Sequence, residues 1–520
     1  MFPRNSSTRN IGATAGEKII PMPPIRTPAS GVSVDEATLF AFDDVAIPFT
    51  HNLRLSMHQP RKHPANPVLP RGKPGMPDEF GAQFYGSILR DNGKFRMWYV
   101  AVDTGLTQSS SYTTSLRQAY AESDDGIHWR KPSLGLVEYR GNRDNNLVLV
   151  DPCQLGAVNL KVIHEPDDPD PSRRYKMTNL TWWMRDGSRG SGTLAALVSG
   201  DGLRWKLAVD TTPVDGMLPL EGVVLPHYHA EAAGGLYKWD GMYYATGQTH
   251  VDVHATGTIG RAVTTFRSPD FVNWSETKNL AFVREGQHSP FDLGTGEETH
   301  EGIAVWNRGN VLLGVSGLWH GDPEWAGTTI DLSLVLSNDG IRFREPIPGH
   351  VFLERGDDGL WDQGGLIQGQ GFENVDDETY IYYGAWDPRP GLDFKPRGGL
   401  GLSTVPRDRL GSLSPIVNTS DASLVTSAVE SDGAIRLWVN ADGLSADTWL
   451  SIELLDAQER PLPGYSGKDA ARVDVPGLRQ PVVWTKGDTT IGATGKFKVR
   501  ITFAGSRRGA PRLYAVYVGA

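Results

Sequence analysis

Cysteine is nearly absent from this chain of 520 residues. Cys153 stands alone, which excludes an internal disulfide and fits a reducing compartment. No run of 18 apolar residues exists, so no segment reads as a membrane-spanning helix. Basic residues are outnumbered, 51 Lys and Arg against 61 Asp and Glu, and the formal net charge of −10 argues against nucleic acid and anionic membrane as partners. The stretch from Met1 to Asn10 lacks the apolar core of a secretory signal, so a cytoplasmic location is expected. A Gly-x-Ser-x-Gly elbow, a Walker loop and a Cys-x-x-Cys pair are also missing, which removes support for serine nucleophiles, nucleotide hydrolysis and dithiol redox work. No cofactor and no metal site is expected.

Glycine, proline and tryptophan are abundant, at 60, 35 and 15 residues, as a turn-rich, aromatic-packed β protein requires. One phrase recurs four times: Ser123-Asp-Asp-Gly-Ile-His-Trp129, Ser199-Gly-Asp-Gly-Leu-Arg-Trp205, Ser268-Pro-Asp-Phe-Val-Asn-Trp274 and Ser337-Asn-Asp-Gly-Ile-Arg-Phe343. Its serines are spaced by 76, 69 and 69 residues, and a degenerate copy, Ser403 to Leu410, follows after 66 more. A fixed period marks a repeat architecture. The Asp-Gly pair ends a strand, and the Trp or Phe then plugs the gap against the neighbouring unit. Upstream of each phrase lie short aromatic and β-branched runs divided by turns, such as Lys94-Phe-Arg-Met-Trp-Tyr-Val100 after Arg90-Asp-Asn-Gly93. Five units of three to four strands predict an all-β fold, a five-bladed β-propeller over residues 46–410. Residues 1–45, rich in Pro, Ser, Thr and Gly, are expected to form an extended arm. Residues 411–520 alternate apolar and polar, as in Phe497-Lys-Val-Arg-Ile-Thr-Phe503, and predict a C-terminal β-sandwich without catalytic groups.

The first strand of each blade lines the axis, so polar residues just ahead of it are expected to converge. Blade 1 offers Asp78 and Glu79, and blade 2 offers Asn159. Blade 3 offers His227, His229 and Glu231; blade 4 offers Glu298, His300 and Glu301; blade 5 offers Trp361, Asp362 and Gln363. Clustered carboxylates repel unless something uses them. Asp78, Glu79, Glu231, Glu301 and Asp362 are therefore the catalytic candidates, with Asn159, His229, His300, Trp361 and Gln363 as substrate-binding candidates. His250 and His254 would share one strand face, as a zinc pair needs, but strand histidines more often bond a ligand or backbone.

The phrase, the aromatic strands Gly93-Lys-Phe-Arg-Met-Trp-Tyr99 and Tyr380-Ile-Tyr-Tyr-Gly384, and the appended sandwich resemble the five-bladed propeller glycoside hydrolases, relatives of β-fructofuranosidases, arabinanases and β-xylosidases. The resemblance implies an acid on blade 1 as base or nucleophile, an Asp on blade 2 that tunes it, and a Glu on blade 3 as general acid. Those places fall to Asp78 or Glu79, to Asn159 or Asp151, and to Glu231. The Trp-Met-Asn-Asp-Pro-Asn-Gly opening and the Arg-Asp-Pro and Glu-Cys motifs of fructosidases are absent. The expectation is an exo-acting glycosidase on a small carbohydrate, a fructo- or arabinofuranoside or a modified pyranoside. A glycoside phosphorylase and a non-catalytic sugar-binding propeller are the alternatives, and association into a homo-oligomer is left open.

Overall fold

The computed structural model describes residues 25–27, 30–103, 115–151, 155–185, 188–215, 217–219, 222, 224–225, 231–251, 260–275, 279–284, 296–324, 326–386, 397–416, 421–492, 495–506 and 510–519. Strands dominate, and no helix among the described residues is long and apolar enough to cross a membrane. Five antiparallel blades surround one axis. Their inner strands are Gly81–Asp91, Leu160–His164, Glu231–Trp239, Glu297–Asn307 and Leu366–Val375, each lying beside the next and the fifth beside the first. Blade 5 is closed by the start of the chain: Arg61–Lys62 and Leu69–Pro70 pair with its strand Arg397–Pro406.

The recurring phrase builds the same loop each time. In the first copy the Ser123 hydroxyl accepts the Gly126 N–H at 2.9 Å, and one Asp125 oxygen accepts the N–H groups of Ile127 and His128, both at 2.8 Å. The Trp129 indole donates to the Gly126 carbonyl at 3.0 Å. Ser199 and Asp201 with Trp205, and Ser268 and Asp270 with Trp274, repeat the arrangement. The turn residue has a positive φ in all four copies, natural for Gly126, Gly202 and Gly340 but strained for Phe271.

The turn also joins blades. Tyr382 of blade 5 donates to the Gly126 carbonyl, Trp98 of blade 1 to Gly202, and Tyr237 of blade 3 to Gly340. The phrase is thus a staple as well as a plug, and it holds the ring through buried hydrogen bonds between consecutive units.

Two antiparallel sheets enclose a separate core. One contains Ala422–Val425, Thr448–Asp456 and Gly495–Gly505, and the other contains Gly411–Pro415, Ile435–Asp442 and Arg512–Gly519. Leu437 and Val516 of one sheet meet Leu450, Ile501 and Phe503 of the other. The expected domain limits shift here. Residues 25–57 are not a loose arm ending at 45. They supply Ile25–Thr27, Val32–Val34 and Phe49–His51 to the first sheet, and Glu36–Phe40 and Leu53–Met57 to the second. The propeller therefore begins at its closing strand near residue 61 and not at 46. Without these N-terminal strands the sandwich would present unpaired backbone edges, and their pairing is the physical reason for the difference. Phe40, Phe42 and Tyr517 then pack on Leu313, Leu334, Leu366 and Tyr383, which seats the sandwich on the flank of blades 4 and 5.

Candidate active site

The inner strands are not regular. In blade 1, Gln83 lies opposite Val100 and Ser87 opposite Trp98, so four steps of the inner strand match two of its partner. The same irregularity covers Glu231 to Gly235 in blade 3, His300 to Ala304 in blade 4 and Gln368 to Phe372 in blade 5. Such bulges re-aim side chains. Recurring at one level of four blades, they define a ring in which Gln83, Glu231, His300 and Gln368 are equivalent. Glycines let the strands crowd there: a Cβ on Gly234 would lie 2.1 Å from the Gly302 carbonyl carbon.

Glu301 sits within this ring at φ +60°, a left-handed conformation costly for a residue with a side chain. It is held from both neighbours. Its N–H donates to the side-chain oxygen of Gln248 on blade 3 at 2.7 Å. The Gln368 amide on blade 5 donates to the carbonyls of His300 at 2.6 Å and Gly302 at 2.7 Å, bracketing the strained residue. Gln248 in turn faces Glu231 across the strand pair. Gln248 thus links the backbones of both glutamates. The backbone of Glu231 is described, while its side chain lies outside the described ones.

His300 is buried against the rings of Trp319 and Trp386, at centroid distances of 5.2 and 5.4 Å, and the two indoles lie 6.4 Å from each other. Burial and then the nearby Arg261 charge hold its pKa well below the usual imidazole value, so it is neutral. The Arg261 guanidinium lies 3.5 Å from Nδ1 and can only donate, which assigns the proton to Nε2. Nε2 lies 3.2 Å from the Tyr85 hydroxyl and 3.7 Å from a Glu301 carboxylate oxygen. Arg261 also covers the Trp319 ring at 4.0 Å and pairs with the buried Glu298 at 3.2 Å. From blade 2, fully buried Lys161 donates to the Tyr85 carbonyl at 2.9 Å. Asn159 is also fully buried, and its carbonyl accepts the Leu180 N–H at 2.8 Å.

The expected convergence of the blade 1 and blade 5 acids is corrected. Asp78 is buried inside its own blade, bonded to Lys131 and accepting the Tyr99 hydroxyl at 2.8 Å. Asp362 repeats this with Lys62 at 2.6 Å and Tyr383 at 3.2 Å. The loops match atom for atom. Arg71 donates to the Glu79 carbonyl and Arg355 to that of Gln363, at 2.6 and 2.8 Å. Glu79 caps the Gly75 N–H and Gln363 caps Gly359, both at 2.6 Å. Trp361 stacks on Tyr383 at 5.8 Å. These residues precede the bulge ring by several positions, and their bonds fasten a loop. The signal was present in the sequence as Arg71-Gly-x-x-Gly-x-x-Asp78 and Arg355-Gly-x-x-Gly-x-x-Asp362.

His227, His229, His254 and His288 lie outside the described residues. Among the described residues no group of three or more His, Cys, Asp or Glu is placed to hold a metal ion. Tyr85, Lys161, Gln248, Arg261 and Gln368 belong to the site but were not singled out from the sequence. A lysine and a glutamine inside inner or second strands, where neighbours are apolar or small, were the available signals.

The molecule is a five-bladed propeller with a flanking β-sandwich and a buried acidic, aromatic centre at the axis. No family model matches the chain, and no curated protein matches it in sequence. Solved structures do resemble it. A member of the GH130 family of mannoside phosphorylases, which contains glycoside hydrolases that target β-1,2 mannosidic linkages in Candida mannan, is 17% identical over 66% of this chain and 93% of that one, with a TM-score of 0.42. A glycosyl hydrolase from Bacteroides ovatus is 17% identical over 68% and 95%, with a TM-score of 0.44. The Bombyx mori GH32 β-fructofuranosidase is 11% identical over 88% and 94%, with a TM-score of 0.41.

Proposed function

We propose that this chain is a glycosidase acting on a small carbohydrate, a furanoside or modified pyranoside cleaved from one end, with Glu231 as proton donor and Glu301 as its ionised partner. The observation that carries the reading is the strained, doubly braced Glu301 beside a neutral His300, with Glu231 opposite the same Gln248. Backbone strain of this kind persists where the surroundings enforce it, and it clusters at working sites. Glycoside cleavage needs one protonated and one ionised carboxyl. Glu231 passes its proton to the glycosidic oxygen as the bond to the anomeric carbon breaks. Water supplies the new oxygen on that carbon and returns a proton to the Glu231 carboxylate, while Glu301 faces the positive charge that develops. Aromatic faces such as Trp386 suit the apolar side of a sugar ring.

The test is turnover of a panel of nitrophenyl and alkyl furanosides and pyranosides by the wild type, Glu231→Gln and Glu301→Gln. Glu231→Gln is expected to lose about 10²–10⁴-fold on alkyl glycosides, the usual worth of a positioned acid, and far less on nitrophenyl ones. Glu301→Gln should lose activity on both. Full activity of Glu301→Gln would overturn the reading. Turnover strictly dependent on inorganic phosphate would make the chain a phosphorylase, and sugar binding without turnover a lectin-like propeller.

A further inference from the structure

We propose that Tyr85 is a positioning residue of the site, one that holds the single ring proton of His300 away from Glu301; this rests on the catalytic reading of Glu301. Tyr85 lies inside the bulge of the blade 1 inner strand. Its side chain crosses the axis to blade 4, where the hydroxyl stands 3.2 Å from His300 Nε2. Lys161 on blade 2 donates to the Tyr85 carbonyl at 2.9 Å, which fixes the backbone from which that side chain departs. The imidazole is held in one orientation. Its plane lies 11° from the Trp386 ring and 26° from that of Trp319, and Arg261 and Tyr85 face its two nitrogens. Since Nδ1 faces a group that can only donate, the one ring proton is on Nε2 and is given to the Tyr85 oxygen.

Glu301 offers a second acceptor to the same proton. Its carboxylate oxygen is 3.7 Å from Nε2, beyond hydrogen-bond reach, against 3.2 Å for the Tyr85 hydroxyl. A donor bonded to a carboxylate takes up part of its charge and makes it a weaker base and a weaker partner for positive charge. Tyr85 prevents this by accepting the proton itself. The charged groups around the pair are set independently of it. On blade 3, Arg261 pairs with Glu298 of blade 4 and covers the Trp319 ring, and Glu231 begins the inner strand. On blade 2, burial draws the Lys161 ammonium down to about 7, so its titration falls on the basic side of an activity profile. Blade 5 presents the neutral Gln368. Removing one hydroxyl from Tyr85 alters none of these charges.

The experiment compares Tyr85→Phe with the wild type in the whole chain. The ring is kept, and the His300 N–H is left with Glu301 as its acceptor. The first readout is the acid-side midpoint of kcat/KM on the best nitrophenyl glycoside of the panel, which reports the ionised partner in the free enzyme. It should fall by about one pH unit in Tyr85→Phe, because a hydrogen bond to the charged form favours that form. The kcat should fall roughly tenfold, the worth of a hydrogen bond to a charged group. An unmoved or raised midpoint overturns the proposal. The second readout needs no turnover: the ring nitrogen-15 and N–H resonances of His300 in labelled protein, identified by their absence in His300→Gln. At pH 6 the wild type should carry the proton on Nε2, and that proton should move downfield in Tyr85→Phe as it meets a carboxylate. A proton on Nδ1, or one that does not shift in the variant, overturns the proposal. Failure of Tyr85→Phe to fold would make the hydroxyl a structural group and overturn it as well. Any of these results beside an inactive Glu301→Gln leaves the functional reading standing, whereas full activity of Glu301→Gln removes that reading and the proposal with it.

Discussion

The side chain of Gln248 accepts the backbone N–H of Glu301 at 2.7 Å, while its own backbone lies opposite Glu231. One neutral residue therefore fixes the spacing of the two glutamates, with no charge to disturb either. Replacing Gln248 by Leu leaves the Glu301 N–H buried without an acceptor. That should cost about 1–3 kcal/mol of stability, the desolvation penalty of such a group. It should also lower kcat at least tenfold by releasing the left-handed turn, whereas Gln248→Glu, which keeps the acceptor, should lose less stability. Denaturant unfolding and steady-state rates on the aryl glycoside panel check both statements.

Asp78 and Asp362 should behave as structural acids. Asp78→Asn leaves the Lys131 ammonium, itself only 17% exposed, without its carboxylate. A loss of about 3 kcal/mol is expected, toward the lower end for breaking a buried pair. The Asp78→Leu/Lys131→Met double variant should recover most of it, because both charges leave together. The rate per folded molecule should be unchanged in each. A large fall in kcat with intact stability would return Asp78 to the catalytic set.

His320 supplies a pH test away from the centre. Its ring meets Glu297 at 2.7 Å and Asp331 at 3.1 Å. Burial alone would lower its pKa, but the two carboxylates outweigh that and push it up to about 9. A raised folded pKa stabilises fully below the unfolded value near 6.5, and the contribution disappears as pH rises through about 9. Glu297 is partly exposed, so the effect is about 2 kcal/mol after screening, less than the unscreened shift implies. Unfolding measured from pH 6 to 10 should show this decline in the wild type and a flatter curve in His320→Gln.

Gly302 should tolerate no side chain. An added Cβ would fall 2.8 Å from two backbone atoms of Gly234, and backbone cannot swing aside. Gly302→Ala is expected to unfold or to force blades 3 and 4 apart, with loss of soluble protein on expression. Gly241→Ala, in an open turn of blade 3, has nothing within 4 Å and bears only the strain of its φ of +76°. It should remain folded.

The blades were legible because each carries its own copy of the Ser-x-Asp phrase, and local turn chemistry repeats wherever the local structure does. Glu301, His300 and Glu231 were legible as polar residues on inner strands. What escaped notice depends on register. The two extra residues in four of the five inner strands shift Glu231 into line with His300 and away from Asp78, and no spacing along the chain records a bulge that its partner strand defines. Lys161 and Gln248 escaped because a polar residue within an apolar strand is informative only once its acceptor on another blade is known. The strands from Ile25 to Phe40 were hidden in a segment of turn-like composition, since Ile25 pairs with Ser431 and Glu36 with Gly519, more than 400 residues away.

The placement of both chain ends has a kinetic consequence. Blades 2, 3 and 4 are built from contiguous sequence, so each has its strands as soon as it leaves the ribosome. Blade 5 waits with the strands near residues 61–70 already made and its own partner, Arg397–Pro406, not yet synthesised. The sandwich waits longer: Glu36–Phe40 must hold an open edge until Arg512–Gly519 arrives. Contacts this distant in sequence form slowly, and the exposed edges are the vulnerable surfaces meanwhile. A nascent chain halted anywhere before residue 397 would carry a propeller that cannot close and a half-sandwich seeking any strand to pair with.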